Sequence, residues 1–212
     1  MKRFISAGFS LAMAAALAGC GSSTMTLSKQ ELSGIRIDRV EVTYAPDAAL
    51  LWEEAELEFA ETVSSSPAAK KKAWKHKTEE EATAEKQEVV SSPESKAYVR
   101  QKVTTLIQDR LKGKLSPRFQ GSRGIVVHVT VHGFNIPSAA RRVVLGGSPT
   151  LGAVTVLKDA QTGAELAKMD RMAAGYAGNG VLGVLVDQGF DDMHNRVLDA
   201  YSGQVIDWMQ AS

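Results

Sequence analysis

Residues 125–134 form one uninterrupted stretch that reads Ile-Val-Val-His-Val-Thr-Val-His-Gly-Phe. It is rich in β-branched residues and carries no Pro, which predicts a strand. Side chains alternate along a strand, so one face is apolar and holds Ile125, Val127, Val129 and Val131. The opposite face is mixed and holds Val126, His128, Thr130, His132 and Phe134.

The chain after this strand predicts two more strands and a helix. Residues 151–158 and 164–173 form the third and fourth strands, joined by a hairpin loop in which Gly163 can adopt the left-handed conformation. Residues 190–210 then predict a terminal helix that packs on the sheet, with Trp208 buried. Its apolar stripe comprises Met193, Val197, Ala200, Tyr201, Val205 and Trp208.

The chain before residue 125 predicts one strand and two helices. Residues 35–42 alternate apolar and charged side chains, which indicates a half-buried strand that ends at Pro46. Residues 47–63 predict a helix capped by Asp47, with the stripe Leu51, Ala55, Phe59 and Val63. A second helix over residues 93–112 starts with Ser92 as cap and Pro93 as first residue, and Gly113 ends it. Its stripe comprises Val99, Val103, Leu106, Ile107 and Leu111.

A charged segment separates these two helices. Residues 68–90 are rich in Lys and Glu, with the basic half before the acidic half and Trp74 among few apolar residues. Such a segment is a solvated helix or disordered. We therefore predict an α+β domain over residues 35–212, with an antiparallel four-stranded sheet, helices packed on one face, and a charged insertion at about residues 47–92. Residues 64–92 are expected to be dispensable for folding.

The N-terminus has the layout of a signal peptide. Met1-Lys2-Arg3 is followed by an uncharged apolar stretch from Phe4 to Leu17, which is shorter than the roughly 20 residues that a spanning helix needs. Leu17-Ala18-Gly19-Cys20 resembles the lipobox, the signal for lipid attachment to cysteine. Residues 1–19 are thus predicted to be removed and Cys20 to be lipidated, which anchors the chain to a membrane.

The segment after the anchor and the overall charge complete the domain organisation. Residues 20–34 are small and polar and predict a flexible tether. Gly21, where enteric bacteria use aspartate to retain lipoproteins at the inner membrane, favours the outer membrane with the domain in the periplasm; inner-membrane anchoring stays open. The chain has 25 basic and 24 acidic residues. This balance gives no general attraction to nucleic acid.

Two motifs match the residue pattern of known sites without the structural context that those sites need. Residues 178–183, Gly-Asn-Gly-Val-Leu-Gly, fit the dinucleotide fingerprint, but no strand follows that could carry the acidic residue which binds the ribose. We predict no nucleotide binding. His128 and His132 form an H-x-x-x-H pair, but four residues of strand separate them by about 13 Å, too far to share a metal ion.

The sequence signals for other kinds of site are equally weak, so no catalytic, cofactor-binding or metal-binding residues are assigned. Residues 146–150, Gly-Gly-Ser-Pro-Thr, lack the last glycine of a nucleophile elbow. Asp191 and Asp192 suit the start of the last helix better than acid–base chemistry. Residues 69–77 combine lysines with Trp74 and could attract an anionic headgroup, although pairing with the glutamates downstream is the simpler interpretation.

The second half of the chain resembles a set of small uncharacterised bacterial lipoprotein domains. The features that carry the likeness are Arg141-Arg142 before Gly146-Gly147, residues 152–159 leading into Thr162-Gly163, a Gly-rich segment and a final helix. The resemblance implies an envelope location and this fold, and no reaction. We expect a non-enzymatic lipoprotein that acts by binding an envelope protein partner in assembly or transport. The alternatives are a periplasmic enzyme acting on envelope glycan or lipid, and a passive structural protein.

Overall fold

The computed structural model describes residues 23–64, 79–138, 141, 148–175 and 193–211. Five strands and five helices are described in this part of the chain. They are β1 (Ser23–Met25), α1 (Lys29–Ser33), β2 (Ile35–Trp52), α2 (Glu53–Ser64), α3 (Glu79–Val90), α4 (Pro93–Leu115), β3 (Arg123–Ile136), β4 (Thr150–Asp159), β5 (Glu165–Gly175) and α5 (Met193–Gln210). None of the five described helices has the length and hydropathy of a membrane-spanning helix.

The strands form one mixed sheet in the order β1-β5-β4-β3-β2. All neighbours are antiparallel except β2 and β3, which are parallel. The α+β class is therefore confirmed, whereas the prediction of four antiparallel strands is wrong in strand number and in the direction of one pair. The reason is the connection: the helical crossover from β2 to β3 returns the chain to the same end of the sheet, which makes the two strands parallel.

Two long helices, α4 and α5, cover the apolar face that Val129 and Val131 share. Thr155 on β4 pairs with Val129 on β3, and its hydroxyl forms a hydrogen bond of 2.7 Å with the hydroxyl of Tyr201 on α5. Tyr44, which pairs with Val131, donates a hydrogen bond of 2.7 Å to the carbonyl of Arg100 on α4. Burial of this face removes the β-branched side chains from water and provides most of the core.

The strand predicted over residues 35–42 is β2, which is much longer than predicted. It continues through Pro46 and Asp47 to Trp52, and its register shifts against β3 between Tyr44 and Ala49. Pro46 lies in this irregularity, where a missing N–H removes no ladder hydrogen bond. The helix therefore starts at Glu53, so the prediction of Asp47 as a cap is wrong. In the predicted stripe, Leu51 and Val63 are exposed, and Ala55 and Ala60 are the residues that α2 buries.

A bulge in β3 corrects the predicted facing of Phe134. The pairing with β4 jumps between Val131 and Gly133, so His132 is one extra residue on β3. An extra residue shifts the alternation by one position and turns the following side chains to the other face. Phe134 and Ile136 are consequently buried in the core, while Phe134 was predicted to share the mixed face with His128.

The helix α4 begins as predicted and ends later. The Ser92 side chain accepts a hydrogen bond of 3.1 Å from the backbone N–H of Ser95, and Pro93 is the first helical residue. The helix passes through Gly113 and ends at Leu115, which is fully buried. Burying a leucine contributes roughly 1.5–3 kcal/mol, more than the about 1 kcal/mol that a helical glycine costs relative to alanine.

The C-terminal elements agree with the prediction except at two side chains. The β4–β5 hairpin is confirmed, and Gly163 has φ of 72° in its loop. The helix α5 buries Met193, Val197, Tyr201 and Val205, but Ala200 is exposed. Trp208 is only half-buried, because Met209 takes the inward position in the last turn. Residues 190–192 lie outside the described residues.

Residues 23–34 of the segment predicted as a tether form a strand and a helix of the domain. β1 pairs with β5, and α1 starts with a capping box in which Ser28 and Glu31 bind each other's backbone N–H groups. Leu27 and Leu32 belong to the core. These apolar side chains are isolated in a polar sequence and form no repeating pattern, so the sequence alone does not predict the strand or the helix. The predicted bounds of the insertion, about residues 47–92, are also wrong at the start. Residues 47–52 belong to β2, and residues 53–64 form α2, which packs on α4.

Candidate functional site

A cavity lies where the parallel strands β2 and β3 end. Leu51 pairs with Asn135 and Trp52 with Ile136, and all four residues line the cavity. Its volume is about 400 Å³, within the range of small-molecule sites. Ligands of sheets with parallel strands commonly bind outside the carboxyl ends of those strands, where the chain leaves the sheet and side chains from two elements converge.

Helices and the exit of β3 supply the remaining walls. The helix α2 begins directly after Trp52 and contributes Glu53, Glu56 and Leu57. Gln87 and Val90 from the last turns of α3 lie on another side, and Pro137 and Arg141 continue from β3. The lining thus has an apolar part and a charged part, because the amphipathic helix α2 starts directly at the end of β2.

Trp52 provides the rigid floor of the cavity. It is 2% exposed, and its ring packs edge-on against Phe134 with ring centroids 5.6 Å apart. The ring of His194 on α5 lies 4.9 Å away, and the ammonium of Lys102 lies 5.1 Å from the Trp52 centroid. Cation–π and aromatic contacts of this kind hold the indole in one orientation. The floor is therefore part of the hydrophobic core.

The acidic side of the cavity is electrostatically unfavourable. Partial burial raises the pKa of Glu56, the neighbouring charge of Glu53 raises it further, and Lys96 opposes the shift. Desolvation and a like charge both disfavour the carboxylate form. By contrast, Glu58, two residues later on α2, contacts Lys102 and Tyr98, and these contacts lower its pKa. Glu56 on the cavity wall therefore differs from Glu58, whose charge is stabilised by its neighbours.

Two polar atoms of the lining residues lack hydrogen-bond partners within the described residues. They are the Oδ1 atom of Asn135 and the Nε1 atom of Trp52, both shielded from solvent. Buried polar atoms are nearly always paired in native proteins, and each exception calls for an explanation. The carboxyl end of the parallel pair thus combines a cavity, unfavourable charge and unsatisfied hydrogen-bonding groups.

The histidine pair lies elsewhere on the sheet. His128 on β3 pairs with Glu41 on β2. The Nδ1 atom of His128 lies 3.5 Å from a carboxylate oxygen of Glu41, and its Nε2 atom lies 3.2 Å from the hydroxyl of Thr43. His132 is the bulge residue, and both rings are half-buried on the mixed face. Among the described residues, no group of three or more His, Cys, Asp or Glu side chains could hold a metal ion.

Several sequence motifs fall outside the described residues. These are Cys20, the Gly178–Gly183 run, the basic residues 69–77, Arg142, Gly146, Gly147, Asp191 and Asp192. Of the Arg-Gly-Gly segment that carries the family resemblance, Arg141 lies on the cavity wall.

Sequence reasoning missed most of the residues that line the cavity, above all Glu53, Glu56 and Asn135. They were assigned to the middle of a helix or to the residues just beyond a strand. The available signal was Leu50-Leu51-Trp52, an apolar run that could extend the first strand, followed at once by the acidic residues that favour a helix start. Pro46 concealed it, since proline usually ends a strand.

The comparisons with known proteins add little. No protein-family model matches the chain, and no curated protein matches it. Among solved structures, a dodecamer of a PelC variant from Paraburkholderia phytofirmans is similar over 85% of this chain and 95% of that chain. The identity is 14% and the TM-score is 0.31. A likeness at that level supports no conclusion about the function or assembly of this protein.

Proposed function

We propose that this protein is a lipoprotein of the outer membrane, facing the periplasm, that works by binding as an accessory protein in envelope assembly or transport. The location rests on the basic start, the apolar stretch that ends at Leu17, and Cys20. Because the described domain begins at Ser23, lipid on Cys20 would hold it close to the membrane surface. Anchoring to the inner membrane is the alternative location.

The observation that supports binding is the cavity at the ends of β2 and β3. Its floor is a fully packed tryptophan, and its walls come from a strand pair and a helix, so the cavity exists before a ligand arrives. A preformed site loses little conformational entropy on binding. A passive structural protein needs no such cavity.

The position of the histidines bears on the enzyme alternative. A periplasmic hydrolase acting on glycan or lipid would need its acid–base groups beside a closed site, within hydrogen-bond reach of the substrate. The residues that line the cavity do not include His128 or His132, which lie on the mixed face of the sheet. This separation favours a binding protein over a hydrolase built on the histidines.

Lipid attachment is tested by Cys20→Ser in cells labelled with radioactive palmitate. We expect the variant to take up no label and to keep its first 19 residues, because no other cysteine is present in the chain. Fractionation of the unchanged protein then distinguishes the outer from the inner membrane. Normal labelling and maturation of the variant would rule out the lipoprotein assignment.

Binding in the cell is tested by photocrosslinking from the rim of the cavity. Leu51 lines the cavity and is 45% exposed, so a p-benzoylphenylalanine placed there lies against any occupant. Val63 on α2 is 37% exposed and is absent from the cavity wall, which makes it the matched control. We expect a discrete envelope adduct from position 51 and none from position 63. Identical patterns from both positions would contradict the proposal.

A further inference from the structure

One part of the cavity wall is acidic, because Glu53 and Glu56 from the first turn of α2 both line the cavity with their carboxylates as hydrogen-bond acceptors. A ligand with several N–H donors would satisfy these acceptors together. Charged hydrogen bonds to such a donor are stronger than neutral ones. The lining therefore favours a donor-rich, positively charged group.

The charges of the neighbouring side chains leave the two carboxylates available. Lys102 contacts Glu58, so its charge is balanced there, and Lys96 acts on Glu56 without forming a salt bridge in the described structure. Glu53 and Glu56 repel each other across the wall. A cation placed between them would remove this repulsion and replace the water that partial burial has taken away. Arg141 lies on the same wall, so the cation would have to bind at the α2 side.

Another part of the lining is hydrocarbon. Besides Trp52, the apolar residues that line the cavity are Leu51, Leu57, Val90, Ile136 and Pro137. A volume of about 400 Å³ holds a chain of several methylenes as well as its polar end. Each methylene removed from water adds roughly 0.8 kcal/mol of favourable transfer, so the apolar wall selects for a ligand with an aliphatic stem.

We propose that this cavity binds a primary amine on a short aliphatic stem, with the ammonium between Glu53 and Glu56 and the stem against Leu57 and Ile136. This inference rests on the proposed binding function and adds the class of ligand. The same chemistry is present in a free alkylamine and in a lysine side chain of a partner protein. The two sources differ only in what continues beyond the stem.

Calorimetry on the full lipidated protein in detergent tests the ligand class. The probes are n-pentylamine and N-acetyl-lysine methylamide, each compared with a neutral counterpart, n-pentanol and N-acetyl-norleucine methylamide. Loss of charged hydrogen bonds should weaken the neutral probes about tenfold to a hundredfold. Tighter binding of the lysine amide than of pentylamine would identify a protein side chain as the source, and the reverse would identify a free amine. Equal binding of charged and neutral probes would overturn the proposal.

Two glutamine variants locate the charge. Glu56→Gln keeps the shape of the side chain and removes its charge, and should weaken the amine about tenfold or more. Glu54→Gln is the matched control, since Glu54 lies in the same first turn of α2, is exposed, and does not line the cavity. A thermal melt confirms that both variants fold. Unchanged affinity in Glu56→Gln, or equal losses in both variants, would overturn the proposal.

The ligand class and the proposed function can fail separately. If no amine binds while the photoreactive group at position 51 still captures an envelope protein, the ligand class is wrong and the binding function stands. If position 51 captures nothing more than position 63 does, the proposed function fails, whatever the calorimetry shows.

Discussion

The two ends of the parallel pair β2–β3 are built in opposite ways. At the amino end, which we call the closed end, Gly34–Asp38 meets Gly121–Gly124 with backbones in contact, and the N–H of Gly121 donates to the carbonyl of Ile35 at 2.6 Å. At the carboxyl end, the open end, the last paired residues, Trp52 and Ile136, line the cavity together with Glu53 and Glu56. One strand pair therefore carries both a tightly packed end and a cavity.

Hydrogen bonding distinguishes the two ends as clearly as packing does. At the closed end, the Asp159 carboxylate accepts from the N–H groups of Gln161 and Thr162 and from Arg123 at 2.8 Å. At the open end, the Oδ1 atom of Asn135 has no partner within the described residues, and Glu56 is partly desolvated beside the like charge of Glu53. Native proteins tolerate such unsatisfied or repelling groups mainly at functional sites. The difference predicts the sign of substitutions at each end.

Trp52→Ala should have the largest effect, because it tests whether the floor of the open end belongs to the core. Removing a fully buried tryptophan typically costs about 3–5 kcal/mol through lost burial and the cavity left behind. The contacts with Phe134 and His194 are lost as well. Chemical denaturation followed by far-UV circular dichroism measures the free energy of unfolding.

Trp208→Ala is the control for this experiment, since Trp208 is only half-buried in the last turn of α5. It should cost less than half as much as Trp52→Ala. Equal losses in the free energy of unfolding would mean that α5 depends on Trp208 more than its burial indicates. They would also mean that Trp52 contributes no more to the core than Trp208 does.

Gly121→Ala should have the next largest effect and tests the closed end. A Cβ at this position would lie 2.0 Å from the backbone carbonyl of Gly34, so the strand start must move. Overpacking against rigid backbone costs about 1–3 kcal/mol or more. Gly113→Ala is the matched control, because a Cβ there meets nothing within 4 Å and alanine favours the helix. If both variants were equally stable, the backbones at the closed end would not be in contact.

Asp159→Asn should have a smaller effect that depends on pH. Hydrogen bonds from Thr162, Arg123 and Gln161 lower the pKa of Asp159 from 3.8 to about 2. The ionised carboxylate therefore stabilises the fold fully above its ordinary pKa, and this contribution is lost as the pH falls from 3.8 toward 2. Denaturation midpoints at about pH 5, 3 and 2 should fall less steeply in the variant than in the unchanged protein. Parallel pH profiles would show that these hydrogen bonds do not favour the charged form.

The covered face, the start of α4 and the β4–β5 hairpin were largely predictable from the sequence. Alternation placed Ile125 and Val129 on the core face, Ser92-Pro93 marked the start of α4, and Gly163 marked the hairpin turn. Each of these signals is local, since it depends on residues within one turn or one strand. Local signals identify elements well and their partners poorly.

The open end was not predictable in the same way, because two irregularities determine it. The register shift around Pro46 extends β2 to Trp52, and the bulge at His132 turns Phe134 into the core. Neither follows from residue pattern alone, since both are fixed by pairing with a strand far away in the chain. The parallel direction of β2 and β3 depends on the helical crossover, and only that direction brings Glu53 and Asn135 to one cavity.

Glu56→Gln should have the smallest effect on stability, with a sign opposite to that of the closed-end variants. Because the pKa of Glu56 is raised by burial and by Glu53, ionisation of Glu56 opposes folding above its ordinary pKa, and that penalty disappears as the pH falls below it. The side chain is partly solvated, so the gain at neutral pH should not exceed about 0.5 kcal/mol. Glu54→Gln loses the same favourable position near the helix N-terminus without relieving any desolvation, so the difference between the two variants isolates the penalty. Denaturation at about pH 7 should find Glu56→Gln more stable than Glu54→Gln, and the gap should close at about pH 4. A gap of the opposite sign at neutral pH would mean that Glu56 stabilises the fold like Asp159, and the contrast between the two ends would not hold.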